Sequence, residues 1–166
     1  MEREAVALSP VGWVREHIEQ YEATGGEAGH HLQGRTTALL TVTGRRTGRR
    51  YRTGVTYSLI DGEYVVVDAN GGSPDRPQWS RNMEQSPGIG LQVGSAALSA
   101  TARVVTGEER ERLWAELVRR DPIYAEFQSR TTRQFVVFAI APTLSDAGLA
   151  GTSAARQVSQ RYGVPD

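Results

Sequence analysis

Two pairs of short strand-like segments, each joined by only two residues, constrain the fold of this 166-residue chain most strongly. Asp61-Gly62 separates 51–60 from 63–69, and Gly94-Ser95 separates two later runs in which apolar residues alternate with small or polar ones. Two-residue connections of this composition form tight turns between antiparallel strands. A parallel doubly wound sheet needs a helix between most consecutive strands, and these connections leave no room for one.

Helical patterns lie around these hairpins. Apolar residues recur at helical spacing over 10–22, a short helix fits 78–85, and a longer amphipathic helix fits 107–120. Thr106, followed three residues later by Glu109, predicts a capping box at the start of the longer helix.

Further strands are predicted at 37–43 and 135–141. Together with the hairpins they make five or six antiparallel strands, so the fold class is mainly β with peripheral helices (α+β), arranged as a small, partly open β-barrel. We expect one domain over 1–142. The tail over 143–166 is rich in Ala, Gly and Ser, and it is compatible with a helix near 153–162 or with disorder.

The composition excludes several kinds of chemistry. The chain has no cysteine, which excludes disulfides and thiolate catalysis, and its zero formal net charge is unlike that of a general nucleic-acid binder. No apolar run approaches the length of a membrane span and no basic-then-apolar leader is visible, so we expect a cytoplasmic protein.

Five arginines fall within eight residues, 45–52, between the apolar segments 38–42 and 55–60. Gly44 and Gly48 permit a sharp turn there, so that the guanidinium groups project toward one small volume. Several planar guanidiniums suit a ligand with several anionic oxygens, because each can bind a phosphate or carboxylate in a bidentate way. From the charge run alone, a solvated arginine-rich hairpin without a ligand is the more common outcome.

In the order and spacing of short motifs, the chain resembles the deazaflavin (F420)-dependent nitroreductase and quinone reductase family. The motifs are His31–Arg35, Thr43–Gly48, Gly71–Pro74, Pro77–Asn82, Gln92–Gly94, Thr101–Arg103, Glu108–Arg110 and Tyr124. The resemblance covers about residues 10–142. It implies a split β-barrel, related to the FMN-binding barrel of pyridoxamine-phosphate oxidases, and coenzyme F420 as the cofactor.

The resemblance also implies which residues bind the cofactor. In similar proteins the turn matching Arg45–Gly48, with a basic residue matching Arg52, holds the phosphate and the acidic glutamyl tail. The segment matching Ala69–Gly72 lies beside the deazaflavin ring, where Asn70 replaces the usual lysine. The implied cofactor-binding residues are Arg45, Arg46, Thr47, Gly48, Arg52, Ala69, Asn70, Gly71, Gly72, Trp79 and Asn82.

Tyr124 matches a tyrosine that lines the substrate pocket in similar enzymes, and we expect it there with Asp121 and Phe127, which replace two further family tyrosines. Tyr124 is also the candidate catalytic proton donor, since an unperturbed tyrosine pKa near 10 suits transfer to an enol or phenol. Solvent is the alternative donor. His30-His31 lacks further residues at metal-ligand spacing, and no metal is expected.

The resemblance therefore implies a reductase that transfers a hydride from reduced F420 to an activated C=C, a quinone or a nitro-aromatic. A polyketide tailoring step in antibiotic biosynthesis, on tetracycline-type rings, is a specialised version of this activity. The alternatives are an FMN-dependent split-barrel oxidoreductase, a non-catalytic F420-binding or storage protein, and an RNA-binding barrel, which the neutral charge disfavours. A monomer and a homodimer are both open.

Overall fold

The computed structural model describes residues 6–8, 12–32 and 34–143. Strands and helices in these ranges are β1 Val6–Leu8, α1 Gly12–Thr24, β2 His31–Leu32, β3 Arg35–Thr43, β4 Arg50–Thr56, β5 Ser58–Ile60, β6 Glu63–Val67, α2 Gln78–Gln85, β7 Gly88–Val93, β8 Ala96–Val104, α3 Gly107–Arg120, α4 Ile123–Ser129 and β9 Val137–Pro142. A single 3₁₀ turn, Asn70–Gly72, lies between β6 and α2.

The described strands form one open sheet in the order β1-β4-β3-β7-β8-β9-β6-β5, with β2 paired to β3 at the side. The predicted fold class is confirmed, but its antiparallel pairing is not complete, because β1 runs parallel to β4. All of α1 and β3 separate these two strands in the chain, which gives the connection enough length for a parallel pair. With only three residues, β1 also carries no sequence pattern that could reveal it.

The sheet curls around a central apolar cluster. Leu40 of β3, Val66 of β6, Leu91 of β7 and Phe138 of β9 are buried together, although β3 and β6 lie far apart in the sheet order. The opposite face of β3 is covered by α1. Helices α3 and α4 pack on the outer face of β6 and β9. Burial on both faces fixes the register of the central strands, since a one-residue slip would exchange the two sets of side chains.

Most local predictions hold. The hairpin at Asp61-Gly62 is confirmed, with both residues at positive φ, 54° and 78°. Helices α2 and α3 begin and end where the pattern places them. Helix α1 ends at Thr24, two residues beyond the predicted end, and the predicted start at residues 10 and 11 lies outside the described residues. The strand predicted at 51–60 is interrupted at Tyr57, because the chain leaves its pairing with β3 there and pairs with β6 instead.

The predicted capping box is wrong. The Thr106 side chain makes no capping hydrogen bond at the start of α3. The Glu109 carboxylate instead accepts a hydrogen bond of 2.6 Å from Arg103 Nη1 on β8, because a charged partner outcompetes a backbone amide for it. The tail helix near 153–162 lies outside the described residues. None of the helices in the described ranges is long and apolar enough to cross a membrane.

Candidate active site

The arginine-rich connection between β3 and β4 is a closed turn. Gly44 N donates to Arg49 O at 2.7 Å, and Gly48 N donates to Gly44 O at 2.9 Å. The hydroxyls of Thr47 and Tyr51 lie 2.9 Å apart and share a hydrogen bond. A side chain at position 44 would place its Cβ 2.5 Å from the Tyr51 ring, so glycine is required for this close approach. The turn therefore has one defined shape, which sets the directions of its arginines.

Helix α2 holds Arg45 through neutral groups. Asn82 Oδ1 accepts from Arg45 N at 3.1 Å and from Arg45 Nη1 at 2.8 Å, while Gln78 Oε1 accepts from Nη2 at 2.8 Å. Partial loss of contact with water, and then the charges of Arg46 and Arg81, lower the pKa of the Arg45 guanidinium. It stays protonated, since arginine titrates far above neutral pH. Amides position Arg45 without neutralising it.

The other predicted cations of this turn differ in how far they are already paired. Arg46 is exposed and makes no ion pair with any residue that the structure describes. Arg52 donates from Nε to Thr41 Oγ1 at 2.8 Å and from Nη1 to Glu22 at 2.6 Å. Glu22 therefore offsets part of the positive charge that the sequence suggests for Arg52.

Two pockets meet along β4. The larger, of about 510 Å³, is lined by Arg45, Arg46, Thr47, Arg52, Trp79 and Asn82 among others. The smaller, of about 210 Å³, is lined by Arg35, Ala69, Asn70, Gly71, Tyr124 and Phe127 among others, and again by Trp79. Strand β4 contributes Thr53 to the first and Gly54 to the second. We call the two together the β4 groove. It has an arginine-rich end and a turn-lined end, whose lining includes the charged side chain of Arg35, on either side of the Trp79 indole.

A buried carboxylate anchors the segment that leads into the smaller pocket. Asp68 is completely buried and accepts hydrogen bonds from Ser80 Oγ at 2.7 Å and Val136 N at 2.7 Å. Arg76 Nε and Arg133 Nη1 each lie 3.2 Å from its carboxylate. A buried charge is tolerated when it is paired and hydrogen-bonded in this way. The network fixes the start of the turn that follows.

The turn Asn70–Gly72 has a left-handed backbone throughout. The φ angles are 45°, 63° and 86° for Asn70, Gly71 and Gly72, and Asn70 Nδ2 donates to Asp75 O at 3.0 Å. A Cβ on Gly71 would meet open space, whereas one on Gly72 would lie 2.7 Å from the carbonyl oxygen of Phe127 in α4. Ala69, Asn70 and Gly71 thus line the pocket, and Gly72 packs against α4 outside the lining.

Tyr124 is 7% exposed and faces the smaller pocket, and its hydroxyl has no hydrogen-bond partner among the described residues. Burial, and then the charge of Asp121, raise the pKa of Tyr124 to about 12, while Arg35 acts in the opposite direction. The hydroxyl is therefore fully protonated at neutral pH. It is a weaker acid than the unperturbed tyrosine assumed from the sequence.

Asp121 does not line the pocket in which the sequence places it. Its carboxylate binds Arg35 side-on, with Oδ2 at 2.5 Å from Nε and Oδ1 at 3.3 Å from Nη2, and Arg35 is the residue that lines the pocket. Sequence reasoning missed Arg35 as a site residue. It ends one of the matched motifs, but nothing in its local pattern indicates a partner 86 positions away.

His30 is fully buried below α1. Its Nδ1 lies 3.0 Å from the Tyr21 hydroxyl and its Nε2 lies 3.4 Å from that of Tyr57. Burial, and then the neighbouring His31, lower the pKa of His30 to about 4. The ring thus has a hydrogen-bonding role in the core. In the part of the chain that the structure describes, no three His, Cys, Asp or Glu residues are grouped so that they could hold a metal.

Comparison with known proteins is consistent with this geometry. The family model described as F420H(2)-dependent quinone reductase matches residues 13–142. An F420H(2)-dependent quinone reductase of Mycobacterium tuberculosis strain H37Rv is 32% identical over 129 residues, covering 75% of this chain and 86% of the relative.

Two solved structures are also similar. An F420-H2 dependent reductase, FDR-A, is 35% identical with a TM-score of 0.57, covering 63% of this chain and 92% of that one. A structure described as a domain-swapped dimer is 36% identical with a TM-score of 0.60, and the match covers 80% of this chain and 99% of that one.

Proposed function

The chain belongs to the F420H(2)-dependent quinone reductase family, and we propose that the β4 groove binds its deazaflavin cofactor together with the electron acceptor. The enzyme is an F420H2-dependent oxidoreductase. One observation carries the assignment of the groove: Trp79 lines both the cationic pocket and the turn-lined pocket, so the two are consecutive parts of one binding surface. An elongated cofactor with an acidic tail and a flat ring matches such a surface.

The cationic end fits the acidic tail. Arg45 is positioned by amides and Arg46 is unpaired within the described residues, so both charges are available to a phosphate or carboxylate. Thr47 lines the same pocket, and Gly48 closes the turn that presents it. We assign Arg52 a smaller share, because Glu22 already pairs with it.

The turn-lined end fits the ring. Ala69, Asn70 and Gly71 line it, and Gly71 leaves the backbone accessible because it has no side chain. Gly72 contributes indirectly by letting α4 approach, and Asn82 contributes by orienting Arg45. We therefore assign all eleven residues implied by the resemblance to one site, in which each contacts the cofactor directly or supports a residue that does.

When bound, reduced F420 supplies a hydride for the reduction of the acceptor. The residues of this chain orient the two molecules and keep water from the smaller pocket, whose lining includes Ile123 and Phe127. Tyr124 presents a protonated hydroxyl that can donate to an oxygen or carbon becoming more basic during reduction. Solvent is the alternative donor. Asp121 acts on this pocket through Arg35.

The binding of the cofactor can be tested by titration. Arg45→Gln and Arg46→Gln should each weaken F420 binding by about tenfold, the loss expected for one charge-assisted contact of about 1.4 kcal/mol. Arg49→Gln is the matched control, since Arg49 lies in the same turn but does not line the pocket. Equal losses for all three variants would indicate a general charge effect, and no loss for Arg45→Gln and Arg46→Gln would refute the proposed site.

We propose quinones, activated C=C bonds and nitro-aromatics as acceptors, with a tetracycline-type tailoring step as the specialised version. A panel of these compounds, assayed by oxidation of the reduced cofactor, distinguishes them. FMN dependence and a storage role find no support in the family, whose members are F420H2-dependent enzymes.

We also propose a homodimer, since one relative is described as a domain-swapped dimer. Size-exclusion chromatography with light scattering tests it. The cytoplasmic location stays a prediction, testable by cell fractionation.

A further inference from the structure

The ion pair between Arg35 and Asp121 has a fixed orientation at the smaller pocket. Arg35 lines the pocket and Asp121 lies behind it, so the positive end of the pair faces the space. The side-on contact through Nε and Nη2 restrains the guanidinium plane. The backbone amide of Ile123 also donates to Asp121 Oδ1 at 3.3 Å, which ties the carboxylate to the start of α4.

The rest of the pocket is uncharged. Trp79, Ile123 and Phe127 provide apolar walls, and burial keeps Tyr124 in its neutral form. Arg35 is the only charged side chain in the lining of this pocket within the described residues. A neutral planar acceptor needs no such group, and the Arg35 side chain keeps 33% of its surface exposed, so its charge can act on a ligand in the pocket.

We infer that the Arg35–Asp121 pair makes the pocket selective for planar electron acceptors that carry an anionic oxygen group, such as a ring carboxylate or an ionised ring hydroxyl. This inference rests on the proposed function, because it assumes that the smaller pocket receives the acceptor beside the deazaflavin ring. Arg35 is the specificity-determining residue, and Asp121 is a positioning residue that also weakens the attraction by partly offsetting the charge.

The arrangement predicts opposite effects for its two halves. Asp121→Asn keeps an oxygen near Arg35 but removes the negative charge, so the attraction of the pocket for an anion increases. Arg35→Gln removes the positive charge and leaves the Asp121 carboxylate near the pocket, so anions are repelled. Replacing both leaves the pocket without either charge, and its preference falls between those of the two single variants. A purely structural ion pair would instead impair both acceptors in both single variants.

The experiment compares kcat/KM for an uncharged naphthoquinone and for the same ring bearing a sulfonate. The ratio of the two values is measured in each variant, so that the different intrinsic reactivities of the acceptors cancel. We expect the anionic-to-neutral ratio to rise by about threefold to tenfold in Asp121→Asn and to fall by about tenfold in Arg35→Gln, as a nearby charge in a partly solvated site gives. Arg35→Lys keeps the charge and should hold the ratio within about twofold.

Arg112→Gln is the matched control, because the Arg112–Asp61 pair is exposed and lies away from this pocket. It should leave the ratio unchanged. Titration with F420 is run on every variant, and it separates the two levels of the argument. If the wild-type protein neither binds F420 nor reduces the acceptors, both the proposed function and this inference are refuted. Normal cofactor binding and quinone reduction, with ratios that do not move or move in the same direction in both single variants, would overturn the inference alone. If Asp121→Asn does not fold, the anionic-to-neutral ratios of Arg35→Gln and Arg35→Lys are compared instead. Equal ratios in these two variants would refute the inference.

Discussion

Replacing Gly72 by alanine tests whether the turn beside the smaller pocket depends on contact with α4. Gly72 has a φ of 86°, and an added Cβ would lie 2.7 Å from Phe127 O and 2.8 Å from Arg130 Cδ. The left-handed backbone costs a non-glycine residue about 1–2 kcal/mol. Relieving the contact with a backbone oxygen costs about a further 1–3 kcal/mol, as overpacking does elsewhere.

Gly71→Ala is the matched comparison. Its φ of 63° carries a similar backbone cost, but its Cβ would meet no atom within 4 Å. We therefore expect a loss in the free energy of unfolding of about 1–2 kcal/mol for Gly71→Ala and about 2–5 kcal/mol for Gly72→Ala. The difference isolates the packing of the turn against α4, and it is a large fraction of the stability of an ordinary domain.

Urea denaturation followed by tryptophan fluorescence, without cofactor, measures both variants. The shift in midpoint at constant slope gives the change in stability. A difference between the two variants below about 0.5 kcal/mol would refute the reasoning, because the close contact would then carry no energy beyond the backbone strain. Activity is not used for this comparison, since Gly71 lines the pocket itself.

Two further predictions concern protons. Tyr124→Phe keeps the packed ring but removes the hydroxyl, so kcat should fall by about 100-fold or more with little change in KM if Tyr124 is the donor, and unchanged turnover in a stopped-flow assay would assign the proton to solvent. His30 has a folded pKa of about 4, below the usual value of 6.5, so the protein should lose about 3 kcal/mol of stability as the pH falls from about 6.5 to 4. Denaturation midpoints across that range measure the loss, and a His30→Asn variant with the same pH slope would show that another group is responsible.

The parts of the fold that the sequence predicts are those with local causes. The Asp61-Gly62 hairpin follows from residues that accept positive φ, and the limits of α2 and α3 follow from apolar spacing and breaking residues. The break at Tyr57 has a different cause, since the chain changes its partner strand there. The short β1 likewise depends on an edge offered by β4. Neither the break at Tyr57 nor the pairing of β1 is indicated by the local sequence of the segment in which it occurs.

The candidate site divides in the same way. The clustering of Arg45 and Arg46 on one turn is visible in the sequence, because a glycine-rich connection between strands leaves few other arrangements. The sequence does not show which of the arginines are already paired with a carboxylate of the same chain. Glu22 comes from α1 to pair with Arg52, and Asp121 comes from the end of α3 to pair with Arg35. Such pairs depend on tertiary packing. Counting charges along the chain therefore overestimates the positive charge that Arg52 contributes to the larger pocket, and it misses Arg35 in the smaller pocket.

Helix α2 serves both ends of the β4 groove within one turn and a half. Gln78 and Asn82 fix Arg45 at one end, while Trp79 faces both. In the proposed site, substitutions in α2 are therefore expected to change both the binding of the cofactor tail and the shape of the smaller pocket. Helix α4 and Arg35, the first residue of β3, line the smaller pocket but not the larger one. In the proposed site, changes there can adapt the pocket to new acceptors without altering the arginines that face the acidic tail of the cofactor.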